Sequence, residues 1–214
     1  MYEQIKSRIA EIGKLLEEYG LNVGSSGNIS VRIPEKNHIV ITPSGLIKSK
    51  LKPEDMLVVD IEGEIIEGER NPSIEMPLHL EIYKHRKDVN AIIHCHPIYA
   101  MVFAALREDI PIFLEETAIY LGGPIKVAEF ARTGTEELAQ NALKALGDRK
   151  AVILANHGLV AVGRDLDDAF EVAYRVERTA KIYLFTKLLG GPKSIPEDII
   201  EEELEIYKIK NELD

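Results

Sequence analysis

The chain of 214 residues is 45% hydrophobic and 29% charged, enough material for one sizeable core and therefore for one domain. Its formal net charge of −10, with no dense basic stripe, excludes non-specific nucleic-acid binding, so any anionic ligand must be held locally, by a metal ion, by backbone amides at glycine turns, or by lysines such as Lys48 and Lys50. No apolar run approaches the roughly 18 residues of a membrane span, and the opening segment is charged throughout, so no membrane partner and a cytoplasmic location are expected.

In chain order, Ile5, Ile9, Ile12, Leu16 and Tyr19 recur at helical spacing before Gly20, which predicts an amphipathic helix over 2–19. After a glycine-rich turn, the β-branched runs NISVRI, HIVIT and LVVDI, separated by PEKN, TPSG and KPED, predict three strands joined by turns. MPLHLEIYKHRK then reads as a helix, NAIIHCH as a strand, and IYAMVFAALRE as a helix starting after Pro97. The short strand IKVAEF follows, then the helix TEELAQNALKAL capped by Thr133 or Thr135, the strand AVILAN and the extended run HGLVAVG. A long helix over 165–189 stops at Gly190 and Gly191, and the acidic end from Pro196 has apolar residues at helical intervals, which predicts a separate terminal helix. A mixed sheet covered by helices is the simplest architecture that buries all these faces.

The segment NAIIHCHPIYA carries the most chemistry. Alternate side chains of a strand point the same way, so His94 and His96 project together, while Cys95, the only cysteine, points to the opposite face. Two imidazoles on one side suit a metal ion. His157 sits where the apolar strand VILA runs into an Asn-His-Gly turn, a strand end from which ligands are commonly presented. Glu75 falls in the first turn of a predicted helix, where a carboxylate is also favoured by the helix dipole alone. His38, His79 and His85 read as solvated or structural. Three neutral imidazoles and a carboxylate match zinc's donor preference, although iron, manganese and cobalt accept the same set. The turns GSSGN, TPSG and the pair Pro72–Ser73 are small and polar, able to bring backbone N–H groups and hydroxyls close to an anion.

The order GSSGNIS, TPSG, PSIEMPLH, HCHP and NHGLV resembles the class II aldolase and adducin-like family, from about residue 2 to residue 190. The resemblance implies a three-layer α/β/α sandwich with a mixed, largely antiparallel central sheet, a catalytic domain over 1–190 and a helical tail over 191–214. It implies one divalent ion, expected to be Zn2+, on Glu75, His94, His96 and His157, with the substrate phosphate at Asn28, Ser44, Gly45 and Ser73. It also implies a homotetramer with active sites at subunit interfaces. The expected reaction is cleavage of a ketose 1-phosphate, L-fuculose 1-phosphate or similar, to dihydroxyacetone phosphate and an aldehyde, with Glu75 alternating between metal ligand and base.

Two positions depart from the aldolase pattern. Ile74 replaces a serine expected to help bind phosphate, and the family's catalytic tyrosine falls on Glu115, which is therefore the candidate second acid/base group, with Tyr120 or Tyr207 as possible helpers. Other reactions of the same scaffold form the alternative: dehydration of a methylthioribulose phosphate, 4-epimerisation of a ribulose phosphate, or decarboxylation of a phosphorylated keto acid. A non-enzymatic adducin-like module is disfavoured because all four ligands are present.

Overall fold

The computed structural model describes residues 2–212. Helix α1 (Tyr2–Glu18) leads through the glycine turn into β1 (Asn28–Ile33), β2 (His38–Ile41), β3 (Leu57–Asp60) and the short edge strand β4 (Ile65–Glu67). Then come α2 (Met76–His85), β5 (Ala91–Cys95), α3 (Ile98–Leu106), α4 (Glu115–Leu121), β6 (Lys126–Ala128), α5 (Glu136–Leu146), β7 (Ala151–Leu154), β8 (Gly158–Gly163), α6 (Leu166–Leu188) and α7 (Glu197–Glu212). The strands form one sheet in the order β4-β3-β2-β1-β5-β8-β7-β6, antiparallel throughout except for the parallel pair β6/β7.

Two apolar layers cover the sheet, as the strand alternation requires. Cys95, Ile93 and Ala91 of β5 face α1, α3 and α6, whereas Ile92 faces α2 and α5 with Val152, Leu154, Val160 and Val162. The fold is thus the expected three-layer α/β/α sandwich with a mixed, largely antiparallel sheet. Among the described residues, no helix is long and apolar enough to cross a membrane.

Two elements were not assigned from sequence. Strand β4 lies in the glutamate-rich EGEIIEGER and is exposed along its length, so no buried face imposed a readable pattern. Helix α4 has only seven residues, too few for a periodic stripe, and begins at Glu115. At the next helix, the alternative between two caps is resolved, because Thr135 Oγ1 accepts from the Leu138 amide. The terminal helix α7 packs on α4, where the Tyr207 ring lies so close over Gly122 that a Cβ there would meet it at 2.4 Å.

The β1/α2 contact is polar along its whole length. Asn28, Ser30 and Arg32 alternate along β1 onto one face, and Glu75, His79 and Tyr83 recur every four residues on the facing stripe of α2. A two-residue strand step of about 6.6 Å nearly matches a four-residue helical rise of about 6 Å, so the two rows stay in register. At the far end the buried Arg32 guanidinium donates to the carbonyls of Tyr83 (2.9 Å), Arg86 (3.2 Å) and Lys87 (2.6 Å), closing the C-terminus of α2 where its dipole is negative. Replacing Arg32 by Met should cost about 2 kcal/mol or more, because these carbonyls lose a charged donor. For a domain of this size that is a fall in Tm of roughly 4–8 °C, measurable by thermal denaturation.

Candidate metal centre and active site

Three remote segments meet at one end of the sheet. The β1/β5 register sets Asn28 directly opposite His94, and the β5/β8 register sets Cys95 opposite Leu159, so the HCHP segment and the turn before β8 end side by side. That turn reverses the chain at Asn156, in the left-handed region at φ 55°, and the Arg107 guanidinium and the Ala104 carbonyl fix it. Helix α3, which follows HCHP, is held at its N-terminus by Glu177 of α6, whose carboxylate accepts from the Tyr99 and Ala100 amides at 3.0 and 2.9 Å.

The outcome is a tight cluster of His94, His96 and His157, whose donor atoms lie within 4.8 Å of one another. The fourth expected group is there too. Glu75 Oε2 is 3.2 Å from His94 Nε2, and Glu75 Oε1 is 3.4 Å from His157 Nε2. His94 Nε2 and His96 Nε2 face one another at 3.1 Å. These separations are close to the edge of a tetrahedron of nitrogen and oxygen donors around zinc, about 3.3 Å for bonds of about 2.0–2.1 Å. His94 Nδ1 donates to the Leu159 carbonyl at 2.9 Å, which turns the Nε2 lone pair toward the cluster. Among the described residues, Glu75 Oε1 is a buried oxygen with no hydrogen-bond partner. A buried orphan oxygen amid three converging imidazoles fits a divalent cation.

The electrostatics agree. Burial would raise the Glu75 carboxyl, but the hydrogen bond and charge of His94, the charge of His157 and the Asn28 amide outweigh it and bring the group to about 2. Burial, together with the charge on its neighbouring imidazoles, lowers His96 to about 4, and burial first, then His94, lowers His157. At neutral pH the centre therefore offers a carboxylate and unprotonated ring nitrogens at His96 and His157, the forms a metal requires.

The remaining expected residues divide. Ser44 and Gly45 are exposed on a turn whose Pro43 bridges to Pro72, and the Ser44 amide donates to the Asn71 carbonyl, so Ser44, Gly45 and Ser73 share one rim beside Glu75. Ser73 Oγ accepts from the Glu75 amide at 3.3 Å. Asn28, by contrast, is buried with its amide committed to Glu75 Oε2 at 2.8 Å and to His79. Ile74 is 65% exposed on the same rim. Of the two lysines named from sequence, Lys50 is exposed while Lys48 is buried, and Lys48 Nζ donates to the Ser25 and Leu46 carbonyls at 3.0 and 2.9 Å, tying the two glycine turns together. Glu115 is exposed at the start of α4, and its neighbour Glu116 is bound to Arg175 and Arg178. Tyr120 lies under the Arg175 guanidinium, and Tyr207 is buried with its hydroxyl on the Asp148 carbonyl, at the opposite end of β7 from His157. In this arrangement both tyrosines are committed to packing within the chain.

Of the three histidines expected to be solvated or structural, His79 is structural and occupies a central place that the expectation did not include. It is fully buried and contacts Asn28 and Ser30, and the signal that could have located it is its spacing of four residues from Glu75. His38 meets Tyr2 and His85 is exposed, both away from the cluster.

Gly158 allows the histidines to converge, because a Cβ there would meet His96 Cδ2 at 2.6 Å and the Cys95 carbonyl at 2.8 Å. Gly158→Ala should therefore displace the His96 ring. A lowered content of bound divalent metal by elemental analysis, with far-UV circular dichroism unchanged, is the expected result.

The comparisons with known proteins place this geometry. The model described as the class II aldolase and adducin N-terminal domain matches residues 7–184. The chain is 39% identical to a 5-deoxy-D-ribulose 1-phosphate aldolase of Bacillus thuringiensis serovar kurstaki, over 94% of each protein. It is 37% identical to a 5-methylthioribulose-1-phosphate/5-deoxyribulose-1-phosphate aldolase of Rhodospirillum rubrum, over 95% of this chain and 91% of that one. A solved structure described as an L-fuculose 1-phosphate aldolase superposes with a TM-score of 0.92 at 43% identity, covering 96% of each chain. With its triad of histidines in place, the chain belongs to the class II aldolase and adducin N-terminal domain family and is a metal-dependent sugar-phosphate aldolase, a carbon–carbon lyase.

Proposed function

We propose that this enzyme cleaves a ketose 1-phosphate to dihydroxyacetone phosphate and an aldehyde, using one zinc ion held by Glu75, His94, His96 and His157. The observation that carries the reading is the buried Glu75, with one oxygen unpaired, beside a cluster of three imidazoles. The ion would supply a Lewis acid that polarises the ketose carbonyl and makes the adjacent carbon acidic. In the condensation direction Glu75 takes the proton from C3 of dihydroxyacetone phosphate, and in cleavage it returns one there. Ser44, Gly45 and Ser73 provide hydroxyls and amides for the phosphate, with Asn28 acting on Glu75 from behind. Ile74 contributes no hydrogen bond to that rim through its side chain.

The C4 hydroxyl must lose a proton as the C3–C4 bond breaks, so a second acid/base group is needed. We assign it to Glu115 of a neighbouring subunit in a homotetramer. Its exposed position supports this, as do the apolar side chains left uncovered on segments flanking the site, Ile74, Ile98, Leu106 and Phe130. Glu115→Gln should lower kcat strongly while leaving metal content and the tetramer, read by light scattering, intact. A wild-type rate in that variant, or an active monomer, would remove this assignment.

L-Fuculose 1-phosphate and 5-deoxy-D-ribulose 1-phosphate are two substrates that the names of the relatives support. Both end in a methyl group, and the relative from Rhodospirillum rubrum is named for a methylthio sugar as well. Incubation of the zinc-loaded enzyme with each, followed by assay of dihydroxyacetone phosphate, is expected to show release that stops on chelation and returns with added metal. Conversion that preserves the carbon chain would favour the dehydratase alternative instead.

Histidine loss tests the ligand set. His94→Ala and His96→Ala should each lose most of the bound metal and the aldolase activity, and full occupancy in both by elemental analysis would refute it.

A further inference from the structure

Behind the carboxylate runs a continuous line of buried hydrogen bonds. Tyr83 Oη meets Ser30 Oγ at 2.8 Å, Ser30 Oγ meets His79 Nδ1 at 2.6 Å, His79 Nε2 meets Asn28 Oδ1 at 2.5 Å, and Asn28 Nδ2 meets Glu75 Oε2 at 2.8 Å. His79, Ser30 and Tyr83 are fully buried and Asn28 nearly so.

Only one set of proton positions satisfies this line. The ionised Glu75 can only accept, so the Asn28 amide must turn its nitrogen toward Oε2 and its oxygen toward His79. Asn28 Oδ1 can only accept, so His79 must carry its proton on Nε2. His79 Nδ1 is then an acceptor, which the Ser30 hydroxyl fills as donor, and Ser30 Oγ in turn accepts from the Tyr83 hydroxyl. With the proton on Nδ1 instead, the Nε2 lone pair would face Asn28 Oδ1, or the amide would flip and set its oxygen against the carboxylate. Burial, followed by the charge of His94, lowers His79 to about 3, so the ring stays neutral and one tautomer can persist.

We infer that His79 is a positioning residue: as the Nε2–H tautomer, anchored by Ser30 and Tyr83, it locks the Asn28 amide so that Oε2 of Glu75 is held and Oε1 is left free to act. This rests on the reading of Glu75 as the site's base. His79 never touches substrate. It acts through Asn28, and the anchored tautomer keeps the carboxylate from rotating when Oε1 exchanges its proton.

The test pairs two substitutions with a spectroscopic readout. His79→Gln restores an amide N–H near the position of Nε2, whereas His79→Leu keeps bulk and removes the donor. The Leu variant should lose roughly tenfold in kcat, the rate equivalent of about one hydrogen bond, with KM and metal content little changed, and Gln should recover most of the loss. Long-range 15N–1H NMR of the zinc-loaded wild-type protein should show His79 protonated at Nε2 and not at Nδ1. Ser30→Ala, a smaller change in case the Leu variant does not fold, removes the donor to Nδ1 but not the acceptor at Nε2, so it should lower kcat to an intermediate value with His79 still protonated at Nε2. A wild-type ring protonated at Nδ1 would overturn the inference, as would equal kcat in the Gln and Leu variants or full kcat in Ser30→Ala. The NMR result is independent of turnover, so an error in the proposed reaction would show separately, as absence of dihydroxyacetone phosphate from the wild-type enzyme.

Discussion

The polar seam between β1 and α2 is the constraint on which the site depends. An exposed carboxylate at a helix start would swing freely, but Glu75 is tied to Asn28 on the central sheet, while Arg32 fastens the other end of the same helix. Burying such a row is costly unless every member is paired. The seam meets that condition because strand and helix advance by nearly equal steps, so each polar group on β1 finds one on α2. The helix is thus placed in the layer below the sheet, and with it Glu75, which is held in position without a salt bridge to a lysine or arginine.

The histidines rely on a different device. His94 and His96 come from one strand end and His157 from a turn sixty residues later, and antiparallel pairing of β5 with β8 brings them together without a dedicated loop. Close approach is possible because Gly158 carries no side chain, and because Gly27, at φ 71°, passes so near β5 that a Cβ would lie 2.4 Å from the His94 carbonyl. Both glycines serve packing against the ligand strand. The rim of Ser44, Gly45 and Ser73 is assembled separately, by the bridge between Pro43 and Pro72 and by the buried ammonium of Lys48.

This division explains how one scaffold can serve several sugar phosphates. The histidine cluster and the rim of Ser44, Gly45 and Ser73 are built into the sheet and its adjoining turns, whereas the exposed margin carries apolar side chains such as Ile98, Leu106 and Phe130. Changes at that margin leave the seam and the histidine cluster untouched, so substrate preference can shift among relatives with the same chemistry.

The sequence by itself determined most elements and singled out the three histidines that the fold brings together. Period-two runs mark seven of the eight strands, a 3.6-residue period marks all helices but α4, and the spacing of His94 and His96 sets both on one face. Residue types were sufficient there because each signal is local. The structure alone decided where the Asn28 and His79 side chains turn: Asn28, expected at the substrate phosphate, has its amide on Glu75 Oε2 and His79, and His79, expected to be solvated or structural, is a buried structural residue at the centre of the seam. Neither fact is local, since both depend on which strand lies beneath α2 and in which register. The same holds for Tyr207, whose ring fills the space above Gly122 because α7 folds back on α4. Side-chain chemistry can be listed from a sequence, but the direction of a hydrogen bond between segments remote in the chain is set only when tertiary packing brings donor and acceptor together.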